Sequence, residues 1–370
     1  MNKKQADNRM SWILLMEECS KSKSQKFCYT EYEICSEVRI PGVLEYNDGA
    51  ILCGLLEEKN EKGLYTYTLR VKHIEKEYKF DKSKYSKEGY FFKEGLVGEL
   101  LALFSVFFQS RFYLKTRSYG TLSANSLEFR IRNEFNYRKP NKYINYEMFT
   151  AQNRNWAHKT NGLKSFLNTI KSIEQQYHQN LIHSFFWYSE AIKEIGVNDE
   201  LFFIKMTSCI EPLLKFIPHS KDDLENKMDE LLSKEKFGKT QTNEIKNWLQ
   251  NRKIGQRFSF FISKYSKGFF KGGKRKAKHC YIYKDNLNEF TKRIYNARSK
   301  YLHEGRPMYL SMEMKSDSGK YWDLDPTLGM MADRKEFKAN EKLPRTRWFE
   351  RIVNHCLKNF IEKTNKSNSK

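Results

Sequence analysis

Hydrophobic positions in the first 95 residues come as short stretches divided by turn signals. SEVRIPGVLEYNDGAILCGLLEE is broken at Pro41-Gly42 and at Asn47-Asp48-Gly49. LYTYTLRVKHI (64–74) alternates in part and is rich in β-forming residues, so both segments predict strands. EGLVGELLALFSVFFQSRFYL follows and predicts an apolar helix, and LEFRIRNEFNY after it has a period near two and predicts extended chain. This half reads as a strand-rich α+β domain over residues 1–148.

From about residue 160 the period becomes helical. Helices are predicted over 161–194 with one break, 198–216, about 221–233, 240–265, 285–303 and 345–364. Ser220 with Asp223 fits a capping box for the third of these. The segment 304–344 interrupts with Gly and Pro, and its length makes it either functional or partly structured. The second part therefore reads as an all-α helical bundle over residues 155–366. The chain shows no internal repeat.

Within the helix predicted over 285–303, Leu287, Phe290, Ile294, Ala297 and Tyr301 recur at helical spacing and predict a core-facing stripe. Asn296, Ser299 and His303 share a neighbouring face. Arg298 and His303 are five residues apart, about 140° on an ideal helix, so they flank a groove rather than point together. Gly305 is a natural terminator and puts His303 in the last turn, where the helix dipole alone accounts for a histidine.

Charge changes the picture. The formal net charge is +22, and residues 1–100 hold 17 Lys/Arg against 17 Asp/Glu, so the remainder carries 50 of the 67 basic residues and 28 of the 45 acidic ones. A neutral front and a basic remainder predict that the second part meets a polyanion, with a lysine-rich background as the plain alternative. Residues 251–284 contain 11 Lys/Arg, eight aromatic residues and no acid. Phe258, Phe261 and Tyr265 at i, i+3 and i+7 predict core positions. The cluster KGGKRKAKH predicts a nucleic-acid contact through Lys271, Lys274, Arg275, Lys276 and Lys278.

The seven cysteines (19, 28, 35, 53, 209, 280, 356) form no CxxC, which argues against a zinc site or a disulfide framework. MNKKQADNRMSWILLMEECSK has too short an apolar stretch for a signal peptide, and Glu17-Glu18 close it. The longest other apolar run, LLALFSVFF (100–108), is far below membrane-spanning length, and a cytoplasmic location is expected.

YNARSKYLHEG resembles the Arg-x4-His motif of HEPN domains, in its ApeA-like form with Ser after the Arg. NDELFFIKMTSCIEPLLK (198–215) is similar to the family's earlier helix, where a Glu precedes a Leu pair, here Glu211. PRTRWFERIVNHCLKNFIE looks like its closing amphipathic helix. IPGVLEYNDGAILCGLL and ELLALFSVFFQSRFYL are similar to the amino-terminal domain of ApeA-type anti-phage proteins. Two departures stand out: Glu304 lies between His303 and Gly305, and Pro212 predicts a kink at Glu211.

The resemblance implies a HEPN helical bundle that cleaves RNA, tRNA included, without a metal or cofactor. In that reaction the ribose 2′-OH attacks the adjacent phosphate and leaves a 2′,3′-cyclic end. His303 can move either proton, because an imidazole titrates near neutrality. Arg298 supplies a permanently charged planar fork for the phosphorane oxygens. Ser299 and Glu211 are further candidates. The resemblance also implies a homodimer or higher oligomer that supplies a second His, a sensing amino-terminal domain, a phage-derived trigger and a role in abortive infection.

Other readings carry less. FGKT (237–240) lacks the earlier Gly of a phosphate-binding loop, which is Ser233 here. EYK (77–79) has the Glu-x-Lys form of metal-dependent nucleases but no Asp-bearing strand beside it. Asp323 and Asp325 read as turn residues. The alternative of a different class is a non-catalytic HEPN-like module that binds RNA or protein.

Overall fold

A computed structural model describes residues 9–21, 27–40, 43–47, 49–57, 63–74, 95–118, 131–134, 159–217, 254–270, 284–310, 312–315, 321–324 and 341–367. It also describes a few isolated positions between 228 and 242 and between 331 and 338. These residues form two compact units, Met1–Asn198 with Phe360–Lys370, and Asp199–Asn359. The boundary expected at 148–155 lies outside the described residues. The two helices that follow it belong to the first unit.

In the first unit, β1 (Phe27–Ser36), β2 (Leu44–Tyr46), β3 (Ile51–Glu57), β4 (Tyr65–Ile74), β5 (Phe112–Ser118) and β6 (Ile131–Glu134) form one sheet. Its order is β2-β3-β4-β1-β5-β6, and every neighbouring pair is antiparallel. The predicted turn at Asn47–Gly49 joins β2 to β3, with Asn47 at φ 51° and Gly49 at φ 77°. Asn and Gly accept that left-handed backbone at low cost.

Along β4, Leu69 and Val71 are buried while Thr68 and Arg70 are part-exposed, the period-two pattern of a sheet with one covered face. On the other face Arg70 pairs with Glu31 and Lys115 with Glu33. The expected strands and apolar helix are found, with two differences: residues 11–21 form a further helix, and Phe112–Leu114, expected at the end of the apolar helix, begin β5.

The covering helices are α1 (Ser11–Lys21) and α2 (Gly95–Phe108). Almost all of α2 is buried, because it packs against β5 and also against α4 (Gln175–Glu194). Leu100, Leu103 and Phe104 are fully enclosed, and each such side chain contributes about 1.5–3 kcal/mol. Glu99 is the polar exception. Its carboxylate accepts hydrogen bonds from Ser11 N (3.2 Å), Ser11 Oγ (2.8 Å) and Trp12 N (3.2 Å), so one helix caps the start of another.

Arg111, completely buried, donates to the carbonyls of Ile192 (3.0 Å) and Ile195 (2.9 Å) at the end of α4. Its Nη1 also lies 3.4 Å from Glu37. The single break predicted in 161–194 falls between α3 (Lys159–Lys171) and α4.

The second unit holds α5 (Asp199–Ile210), a 3₁₀ helix (Glu211–Phe216), α6 (Ile254–Tyr265), α7 (Leu287–Glu304) and most of α8 (Thr346–Ser367). Phe202, Phe203, Phe258 and Phe349 pack at its centre, with Phe203 stacked on Phe349 at 5.6 Å. The helix predicted as 198–216 is α-helical only to Ile210, because Pro212 cannot donate to the ladder and the chain tightens to 3₁₀ at Glu211. Most of the helix expected over 221–233, and most of 240–253, lie outside the described residues; residues 228 and 230–232, which are described, are helical.

The segment 304–344 is partly structured: β7 (Met312–Lys315) pairs with β8 (Tyr321–Leu324), and β9 (Met331–Ala332) with β10 (Lys335–Glu336). Among the described residues no helix is long and apolar enough to cross a membrane. The chain is thus an α+β sheet region followed by a mainly helical one.

Candidate functional site

The core-facing stripe expected on α7 is met in part, and the deepest positions include a polar residue that it left out. Leu287, Thr291 and Ile294 are buried, whereas Phe290, Ala297 and Tyr301 are only half-buried. Thr291 tolerates burial because its hydroxyl donates to Asn288 O at 2.9 Å within the helix. The stripe 287–291–294 continues one turn on to Arg298, so Arg298 stands on the inward side of the helix.

There Arg298 meets Glu211. Its Nη2 lies 3.0 Å from Oε1 and 3.3 Å from Oε2, and both side chains are largely covered. Two features place Glu211 here: α7 packs against α5, and the 3₁₀ helix begins at this residue. Tyr295, one turn before Arg298, completes the group. The guanidinium carbon lies 5.6 Å from the Tyr295 ring centre, within cation–π range. The Tyr295 hydroxyl hydrogen-bonds Glu211, and its pKa is raised by burial first and then by the Glu211 charge, with Arg298 opposing.

The Tyr295 ring also fits against Gly255 of α6. A Cβ built at Gly255 falls 2.9 Å from Tyr295 Cδ1, so the close approach of α6 and α7 depends on that glycine. Among the described residues Arg298 Nε is buried with no hydrogen-bond partner.

His303 sits elsewhere. It lies in the last turn of α7, which ends at Gly305 (φ 66°), where Arg306 N reaches back to Lys300 O at 3.4 Å. The imidazole is exposed and takes no hydrogen-bond partner among the described residues. Five residues from Arg298, it faces about 140° away around the helix. Ser299 is half-buried between the two directions.

The structure thus joins Arg298 to Glu211 and leaves His303 on another face. Lys292, Asn296 and Lys300 share that face with His303, within about 80° of one another. Lys292, Asn296 and Lys300 line a cavity of about 300 Å³ with Arg306, Tyr309 and Glu341, and His303 lies outside that lining.

Sequence reading missed Tyr295 and the cavity. Tyr295 could have been found from its i, i+3 spacing to Arg298, which puts both on one side of a helix. The cavity depends on Glu341, 41 residues from Lys300, and no local pattern joins them. Lys271, Lys274, Arg275, Lys276 and Lys278 lie outside the described residues. Comparison of the chain with family models, with curated proteins and with solved structures finds no match in any of the three.

The arrangement offers an exposed imidazole on the helical face that also carries Lys292 and Lys300. Arg298 has a carboxylate already bound, and a phosphate would have to compete with Glu211 for it.

Proposed function

We propose that this chain is a metal-independent endoribonuclease of the HEPN type, resembling ApeA-like anti-phage proteins, with His303 as the proton-transfer residue. The observation that carries the reading is the exposed imidazole at the end of α7, on the same helical face as a cavity lined by Lys292, Lys300 and Arg306. An RNA phosphate drawn to those cations is brought to the side of the helix where His303 stands. Arg298 takes part by exchanging Glu211 for a phosphorane oxygen, or acts through the position of α7. A second copy of the chain supplies the second imidazole, since one His does not readily serve as both base and acid. The front sheet unit is the regulatory half.

A second reading, a non-catalytic RNA-binding module, is favoured by the Arg298–Glu211 pair, which directs the guanidinium away from His303. Cleavage of total RNA and tRNA in excess EDTA by the purified chain, beside His303→Ala, separates the two. Cyclic-phosphate ends from wild type alone support the nuclease. Cleavage by both proteins removes His303 from the reaction, and RNA binding with no cleavage by either favours the module.

A further inference from the structure

The cavity on the His303 face of α7 has walls that are tied in place. Met308 N donates to Glu200 Oε1 at 2.7 Å, which fastens the chain after α7 to the start of α5. Leu343 N donates to Tyr309 O at 2.9 Å, and Arg293 Nη1 to Lys342 O at 2.9 Å. These bonds hold three separate segments around one space of about 300 Å³, so the cost of ordering it is met in folding rather than in binding.

Inside, Glu341 accepts Lys300 Nζ at 3.2 Å, Arg306 Nη2 at 3.2 Å and Lys338 N at 3.1 Å. Burial alone raises a carboxyl pKa, yet the Lys338 N–H, the Lys300 ammonium and the Arg306 charge together hold Glu341 below its ordinary value. An ammonium, a guanidinium and a backbone N–H converging on one anion are the parts of a phosphate site, and here a carboxylate fills it. The lining carries Lys292, Arg293, Lys300 and Arg306 against Glu289 and Glu341, so cations remain in excess. From Lys292 to His303 the helix rises about 16 Å, longer than a single phosphate group and suited to a strand.

We propose that this cavity binds phosphates of a single RNA strand through Lys292, Lys300 and Arg306, with Glu341 as a resident anion that the strand displaces. The proposal rests on the RNA-cleaving reading of His303 and names the substrate contacts of that site. Arg298 is not among them, because it faces the other side of α7.

The test uses the full chain and a fluorescein-labelled ten-nucleotide 2′-O-methyl oligoribonucleotide, which has no free 2′-OH and cannot be cleaved. Anisotropy titrations give Kd and its salt dependence. Lys292→Gln and Lys300→Gln are each expected to raise Kd about fivefold and to lower the log–log salt slope by about 0.7, the value for one single-strand phosphate contact. Glu341→Gln is expected to tighten binding at least threefold. Lys300→Arg restores wild-type affinity, and Lys264→Gln, the same charge change on α6, leaves Kd within twofold. Lys292 is exposed, so its variant keeps the test sound if Glu341→Gln fails to fold.

Cavity variants that behave like Lys264→Gln overturn the proposal, and so does a wild-type chain that does not bind the oligonucleotide. If adenosine 5′-monophosphate binds more tightly than the strand, with the same dependence on Lys300, the cavity takes free nucleotides and the strand assignment falls. Cleavage by His303→Ala is read separately. Its loss with unaltered binding in the cavity variants keeps the nuclease and removes this subsite, and the reverse result keeps the subsite and removes the nuclease.

Discussion

Arg298 is bound by Glu211 at 3.0 Å, across 87 residues of chain, on the side of α7 turned away from His303. The two members of the Arg-x4-His motif therefore have different surroundings: one is held in a side-chain group with Tyr295 and Glu211, the other is in solvent. That difference separates their contributions to stability from those to chemistry.

The pair should be measurable as a coupling. Arg298→Gln and Glu211→Gln, singly and together, are expected to give an interaction free energy of about 1 kcal/mol in urea unfolding, the upper range for a partly covered ion pair. Additive losses would mean the pair adds no stability.

His303→Ala should be silent in the same assay. An exposed side chain with no partner among the described residues changes stability by no more than about 0.5 kcal/mol. RNA cleavage in EDTA is expected to fall about 100-fold or more, the contribution of a general acid or base. Equal loss of folding and cleavage would assign His303 a structural part instead.

Gly255→Ala tests the contact of α6 with α7. The new methyl meets the Tyr295 ring at 2.9 Å, and the lost fit should outweigh the gain in helix propensity, for a net cost of about 1–2 kcal/mol. Adding Tyr295→Phe keeps the ring and should not relieve the cost, whereas adding Tyr295→Ala should. Thermal melts of the three proteins decide it.

Stability should fall as pH rises from about 4.5 to about 7, because burial pushes the Glu37 carboxyl up to about 7, with Arg111 opposing. The folded chain then holds a proton that the unfolded chain has released. Glu37 therefore contributes stability that is full below the unfolded value and lost as pH passes the folded one. The change is on the order of 3 kcal/mol, and Glu37→Gln should flatten this part of the profile. Denaturant midpoints between pH 4 and 8 give the slope.

Local features were readable from the residues. The strands around Asn47–Gly49, the apolar helix α2 and the end of α7 at Gly305 each follow from spacing and backbone preference within a few positions. What sequence reading lost was polar residues doing core work. Thr291 and Arg298 occupy the inward face of α7, where a count of apolar residues passes over them. Arg111 was equally hidden, since its burial is offset by carbonyls at Ile192 and Ile195, about 80 residues away. The site was half legible for the same reason: the Arg-x4-His spacing is local, but Glu211 and Glu341 reach it through tertiary packing.

The cap that Glu99 places on α1 also sets an order of events during synthesis. Residues 11–21 are made before the carboxylate that secures Ser11 and Trp12, which follows Trp12 by 87 residues. Until then α1 is a marginal helix of about three turns, with Trp12, Ile13 and Met16 exposed to other chains. A nascent chain stalled before residue 99 is therefore open to chaperones at α1, and one extended past α2 can close it.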